Sequence, residues 1–213
     1  MTTLRSQAVA SRAVGITTAV FALLVGQLVG RNLVSDNRPS ALWSGSRQIH
    51  GVWVEHYDDL EQMLSHSDAV VLGHIQAVAP GRRFGDAQDS VHYGSATLRV
   101  HEALSNGADV DIGPTVQLEL LLNSPSQVAD MQTGLPSRTG VYFLRNKGLE
   151  YERDGATSDV VQANRPFYRL LNNQAILEDV DGEVWPPLAE LYEFPANLAG
   201  TSFPDLVDEV RTK

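Results

Sequence analysis

The chain contains no cysteine among its 213 residues. Disulfide bonds, thiolate metal sites, cysteine nucleophiles and lipid anchors on cysteine are therefore excluded. Positive charge is also scarce, because 16 lysine and arginine residues stand against 26 aspartate and glutamate residues, which gives a net charge of −10. A chain with this charge and no basic stripe repels a phosphate backbone. We therefore expect no nucleic-acid partner.

Sequence signatures of catalysis and of cofactor binding are missing as well. Ser46 and Ser95 lack the flanking pattern of a G-x-S-x-G nucleophile turn. The segment GRRFGD at 81–86 is too short and too polar for a phosphate-binding loop. The sequence therefore indicates no catalytic residue, metal ligand or cofactor, and it favours a binding protein over an enzyme.

One long uncharged run is present near the start of the chain. Residues 13–30 read AVGITTAVFALLVGQLVG, with Arg12 before them and Arg31 after them. A run of this length is at the lower limit for a helix that spans a bilayer. It is open to three interpretations: an uncleaved membrane anchor, a cleaved signal peptide, or a buried helix of a soluble domain. The absence of an A-x-A cleavage site after it favours the anchor.

These features divide the chain into a basic N-terminus (1–12), a transmembrane anchor or signal helix (13–30), a polar linker (31–50) and a folded domain (51–213). Arginines on the two sides of the apolar run nearly balance, so charge alone does not set the orientation. A short basic N-terminus before an apolar run is typical of export. We expect a membrane-anchored protein with an extracytoplasmic domain, or a secreted one if the signal is cleaved.

The folded domain has the pattern of a mainly β protein with about seven short strands. The predicted strands are 68–80, 91–104, 115–122, 139–145, 167–171, 174–180 and 183–186, and LEYER at 149–153 is a candidate hairpin partner of 139–145. Gly73 predicts a bulge or a sharp bend, and Pro80-Gly81 predicts the end of the first strand. Short helices are predicted at 58–66, capped by Asp58, and after Ser202.

The longest predicted loops are 81–90, 123–138 and 154–165. This spacing of strands favours a small OB-like β-barrel, closed or partly open, with short peripheral helices, preceded by the N-terminal apolar helix.

The order of the strands resembles a group of bacterial exported domains. The run SHSDAVVLGHIQAVAPG at 65–81 is similar to their (A/S)-D-x-V-V-x-G-x-V strand, and 96–107 to their V-x-V-E-E-V-L-K-G strand. Residues 139–148 and 167–184 resemble their G-x-x-Y-L-L-F-L strand and late hairpin. The resemblance implies an OB-like barrel of the netrin and metalloprotease-inhibitor type, and an exported location. It implies no activity, because the inhibitors use an N-terminal cysteine that this chain lacks.

Histidines give the first candidates for a metal site. His50 and His56 flank Glu55, but six residues of extended chain separate two side chains by about 20 Å, too far for one ion. His74, His92 and His101 fall on predicted strands, where pairing could bring two of them together. The favoured interpretation is that they are solvent-facing or hydrogen-bonded.

Carboxylates crowd the segment EDVDGEV, which contains Glu178, Asp179, Asp181 and Glu183. The D-x-D-G pattern is part of a calcium loop, but its glycine is misplaced for the full loop. Asp-Gly between two apolar strands is typical of a hairpin turn, which we favour.

The sequence therefore predicts a non-enzymatic β-barrel module, attached to the membrane through residues 13–30, that binds a protein or a cell-envelope component. Its exposed apolar groups would lie on one face, near the three long loops. The alternative is a metal-dependent hydrolase that uses acidic residues such as Asp179 and Glu183 near the 178–183 turn. Trp43 and Trp53 are either core residues or markers of a membrane interface.

Overall fold

The computed structural model describes residues 42–43, 55–86, 89–107, 110–122, 124–135, 138–172, 174–189 and 194–213. All of them belong to one unit, Pro39–Lys213. The predicted N-terminus, the apolar segment 13–30 and Trp53 lie outside the described residues. Among those that are described, every helix is too short or too polar to cross a bilayer.

Seven strands and five α-helices make up the described part of the domain, so the prediction of a mainly β fold is confirmed. In chain order they are α1 (Leu60–His66), β1 (Ala69–Gly85), β2 (Ser90–Asn106), β3 (Thr115–Leu122), α2 (Gln127–Thr133), β4 (Gly140–Asn146), α3 (Lys147–Arg153), α4 (Ser158–Asn164), β5 (Phe167–Leu170), β6 (Ile176–Val180), β7 (Glu183–Trp185) and α5 (Phe203–Thr212). A 3₁₀ helix, Phe194–Leu198, precedes α5.

The strands form one mixed sheet in the order β1–β2–β3–β5–β4–β6–β7. β1 also pairs with β4, through residues Ala69–Gly73. Each of the strands β1, β2, β3, β5 and β4 is therefore hydrogen-bonded to the next, and β4 is hydrogen-bonded back to β1. These five strands are named here the strand circuit. Within this circuit β3 and β5 are parallel, while the other neighbours are antiparallel.

The first two strands are each 17 residues long and are bent by bulges. Between Leu72 and Gly73 the pairing register shifts, so that His101 on β2 has no partner residue on β1. A Cβ atom at position 73 would lie only 2.2 Å from the carbonyl oxygen of Arg99. The bulge predicted at Gly73 is thus confirmed, and the close approach of the two backbones requires glycine there.

The predicted end of the first strand at Pro80-Gly81 is wrong. β1 continues through a second register shift, between Pro80 and Arg83, as far as Gly85. This part of β1 pairs with β2 but not with β4. Pro80 fits here because this part of β1 lies at the edge of the sheet, where no further strand needs the amide hydrogen that proline lacks.

Three segments predicted as loop or strand are helical. Residues 149–153, expected to return as a hairpin partner, lie in α3. The reason is local: the side chain of Asn146 accepts a hydrogen bond from the backbone nitrogen of Leu149 at 3.1 Å and so begins a helix directly after β4. The predicted loops 123–138 and 154–165 contain α2 and α4.

The two predicted helices are present. Asp59, rather than Asp58, caps α1, and its carboxylate accepts from the backbone nitrogen of Gln62 at 2.8 Å. Ser202 caps α5 as expected, with its hydroxyl oxygen accepting from the backbone nitrogen of Asp205 at 3.3 Å. Both caps satisfy backbone donors that the first turn of a helix leaves free.

The hydrophobic core forms two clusters on the faces of this sheet. The predicted alternation on β3 is confirmed, because Val116, Leu118, Leu120 and Leu122 are all buried. Leu42 and Trp43, which lie in the predicted linker 31–50, are fully buried in the same cluster. Trp43 is therefore a core residue.

We expect Gly73→Ala to lower the free energy of unfolding by at least about 2 kcal/mol, because its methyl group would overlap the carbonyl oxygen of Arg99. Gly113→Ala is the matched control, since the nearest atom to its added Cβ is 4.0 Å away. Urea unfolding of the full-length chain, followed by circular dichroism, measures both. Equal stability of the two variants would contradict the role given to Gly73.

Candidate functional site

Glu119 on β3 is a carboxylate held by two cations, with only 2% of its side chain exposed. Arg82 on β1 donates from Nε to one carboxylate oxygen and from Nη2 to the other, the latter at 2.6 Å. Lys147 at the start of α3 donates from Nζ to Oε2 at 2.6 Å. Asn164 at the end of α4 accepts from Arg82 Nη1 at 2.8 Å. These four residues, named here the Glu119 cluster, join two strands and two helices.

The charges of the Glu119 cluster do not cancel. Burial raises the pKa of Glu119, but the hydrogen bonds from Arg82 and Lys147 outweigh it and hold the pKa below its usual range. The same hydrogen bond to Glu119 raises the pKa of Arg82. Two cations therefore share one carboxylate, and the cluster carries one net positive charge in a chain that is acidic overall.

Aromatic rings surround the two cations. The guanidinium of Arg82 lies 4.1 Å from the ring centroid of Phe167 and 5.1 Å from that of Phe84. Lys147 Nζ lies 4.9 Å from the ring centroid of Tyr93, which meets Phe84 edge to face. Such contacts between cations and π-systems are favourable, the more so when water is partly excluded. The rings therefore help to fix the two cations in place.

Exposed large apolar side chains border this cluster. In the described residues they are Phe84, Val91, Leu121 and Val160, each between 38% and 44% exposed. Phe84 pairs with Val91 across the β1–β2 hairpin, and Leu121 pairs with Tyr93. Paired residues, and residues two apart on a strand, share a face of the sheet. Val160 lies one helical turn before Asn164, whose side chain donates to its carbonyl oxygen.

These four residues are named here the apolar rim. Phe84 and Val160 fall in the predicted loops 81–90 and 154–165, so two of the three loops proposed from sequence contribute to it. No sequence pattern predicted Arg82, Glu119 and Lys147 as functional residues. The one signal for Glu119 is a single acid in the apolar strand TVQLELLL, and such an acid is normally solvated.

Strand pairing brings two of the predicted histidines together. His74 Nδ1 and His101 Nε2 are 2.9 Å apart, so the expectation of hydrogen-bonded histidines is confirmed for this pair. His92 lies elsewhere on β2, with its Nε2 atom 3.1 Å from the hydroxyl oxygen of Ser90. His50 lies outside the described residues.

The acidic residues at 178–183 do not converge. Asp179 pairs with Val184, and Glu183 pairs with Val180, which places the two acids on opposite faces of the β6–β7 hairpin. The predicted Asp-Gly turn is confirmed, since Asp181 and Gly182 have φ angles of 56° and 88°. Where the structure describes the chain, it holds no group of three or more histidine or acidic side chains that could share a metal ion.

Glu178 points into the core instead. Its side chain is fully buried, and its Oε1 atom accepts from Trp43 Nε1 at 2.7 Å. Arg138 Nη1 lies 4.0 Å from the other oxygen, Oε2. Burial raises the pKa of Glu178, and the Trp43 hydrogen bond and the Arg138 charge offset this only in part. Glu178 is thus a second buried acid, but its surroundings raise its pKa, whereas the surroundings of Glu119 lower the pKa of that residue.

We expect Glu119→Gln to lower the free energy of unfolding by about 3–5 kcal/mol at pH 7, because it leaves two partly buried cations without a carboxylate. Since the folded state lowers the pKa of Glu119, its contribution is present at neutral pH and is lost on acidification below about pH 4.3. Urea unfolding between pH 3 and pH 7 measures the difference. Glu102→Gln, which removes the exposed partner of Arg211, is the control and should change little.

The opposite pH dependence is expected for Glu178→Gln. The folded state raises the pKa of Glu178, so wild-type stability falls as the pH rises through that pKa, whereas the amide does not titrate. The variant should be more stable than wild type at pH 8, by on the order of 1 kcal/mol, and the gap should close at pH 4. A wild-type chain that is the more stable at pH 8 would contradict this assignment.

Comparisons with models of protein families, with curated proteins and with solved structures find no match for this chain.

Proposed function

We propose that this chain is a non-enzymatic binding module, anchored to a membrane or exported across it, that binds a protein through the apolar rim and the Glu119 cluster. The observation that carries the proposal is the gathering of exposed apolar side chains around one cationic cluster. Scattered apolar residues on a surface need no explanation, but a grouped set bordered by polar residues is typical of an interaction site.

The strand circuit supports an OB-like, partly open barrel as the finer description of the fold. The five strands of the circuit include a parallel β3–β5 pair, and α2 lies between β3 and β4. OB-folds are five-stranded, partly open barrels that bind ligands on the face of strands 2 and 3, between the loops after strands 1 and 4. Here those elements are β2, β3, the β1–β2 hairpin and α3–α4, which carry the apolar rim and the Glu119 cluster.

The chemistry of the Glu119 cluster favours binding over catalysis. Both oxygens of Glu119 accept hydrogen bonds from cations, so this carboxylate is not free to take a proton from a substrate. Arg82 remains 27% exposed and brings the excess positive charge to the surface. The partner that fits is a protein segment with a carboxylate beside apolar side chains. A nucleic acid fits poorly because of the net charge of −10.

Photo-crosslinking in cells tests the proposed interface. A photoreactive phenylalanine analogue at Phe84 should give an adduct with one protein, and the adduct should decrease when Leu121→Ser is added. The same analogue at Glu209 on α5, an exposed site near the opposite end of β2, is the control. Equal labelling at both sites, or labelling unaffected by Leu121→Ser, would contradict the proposal.

The proposed location is tested separately. Leu23→Arg combined with Leu24→Arg places two charges in the apolar run, each costing about 2.5–3.5 kcal/mol at the centre of a bilayer. We expect this variant to leave the membrane fraction, whereas Ser40→Arg in the linker should not. Wild-type chain found wholly in the cytosol would contradict both the anchored and the exported forms.

A further inference from the structure

His74 and His101 form a pair that the proposed binding surface does not use. Their facing nitrogens are 2.9 Å apart and their ring planes are tilted by 54°. Both side chains reach the surface on adjacent antiparallel strands. By contrast, the ring nitrogen of His66 lies 2.9 Å from the carbonyl oxygen of Gln62 in its own helix.

The β-bulge at Gly73 creates this pair. In a regular register His101 would lie opposite Gly73, and its side chain would point to the other face of the sheet from that of the neighbouring His74. The bulge makes His101 the extra residue and places Arg99 opposite His74 instead. Residues 99 and 101 share a face, so His101 comes to the same side as His74.

We propose that His74 Nδ1 and His101 Nε2 together bind one Cu(II) ion at the surface of the β1–β2 pair. Imidazole nitrogens bind such ions at about 2.0–2.1 Å, so two ring nitrogens that already lie side by side can reach one ion. The Irving–Williams order and the affinity of Cu(II) for imidazole nitrogen favour this ion, and water completes the coordination.

A change of tautomer prepares the pair for a metal ion. In the metal-free pair one ring donates its N–H to the other. On binding, that ring carries its proton on the other nitrogen, so both facing nitrogens offer lone pairs and no proton is lost. Arg99, which lies opposite His74, is a nearby positive charge that opposes cation binding.

Copper titration of the full-length chain in detergent solution tests the site. We expect calorimetry to show one Cu(II) ion bound, with a tetragonal electron paramagnetic resonance spectrum coupled to two nitrogens. His101→Gln should weaken this binding by at least about tenfold, since losing a ligand costs no less than losing an outer-shell partner. His92→Gln, on the same strand, is the control. Unchanged binding in His101→Gln, or equal loss in the control, would overturn the proposal.

A second measurement uses the wild-type chain alone, so it does not depend on the folding of a variant. Diethyl pyrocarbonate modifies accessible neutral histidines, and mass spectrometry locates the modified residues. Cu(II) should slow modification of His74 and His101 but not of the exposed His56. Equal modification of the pair with and without Cu(II) would overturn the proposal.

Discussion

Two glycines that face each other across β1 and β4 set the point at which the first strand leaves the strand circuit. Gly73 and Gly140 are the last pair between these strands. A Cβ atom at position 140 would lie 3.1 Å from the carbonyl oxygen of Leu177, and one at position 73 would lie closer still to that of Arg99. Beyond this point β1 pairs only with β2, and together they carry Arg82 and Phe84 to the far end of the hairpin.

The two buried glutamates show how partners decide what burial does to a carboxylate. Glu119 faces two cations, so its charged form is favoured in the folded state. Glu178 has an indole N–H and a more distant arginine, so its charged form is disfavoured. A buried charge is tolerable only when its hydrogen bonds and counter-charges replace the lost water. Glu119 meets that condition and can fix the helices α3 and α4 to the sheet.

Strand positions could be predicted from the sequence wherever one face of a strand is apolar throughout. β3 is the clearest case, since its predicted and observed bounds are both 115–122. The prediction was wrong where the position of a residue in the sheet overrode a local signal. Proline normally ends a strand in the interior of a sheet, but Pro80 lies in a part of β1 at the edge of the sheet. The prediction was also wrong for residues 149–153 (LEYER), because the side chain of Asn146 caps a helix there and so favours helix over strand.

The residues of the candidate site could not be predicted from the sequence, for a different reason. Arg82, Glu119 and Lys147 come from separate elements, and only the strand pairing and the α3 cap bring them together. Trp43 is a similar case, because its partner Glu178 is 135 residues away. Only part of the histidine pair could be predicted: a bulge at Gly73 was predictable, but the register shift that brings His101 to the same side as His74 was not.

The two proposed sites lie on one face of β2 but are too far apart to bind the same small ligand. His101 and Tyr93 are eight residues apart, which is about 27 Å along an extended strand. Between them a polar ladder occupies the face, with Gln117 hydrogen-bonded to both Ser95 and Thr97. An ion bound at the histidine pair therefore cannot contact the Glu119 cluster. Each proposed site therefore depends only on its own residues. Only a partner as large as a protein could contact both sites.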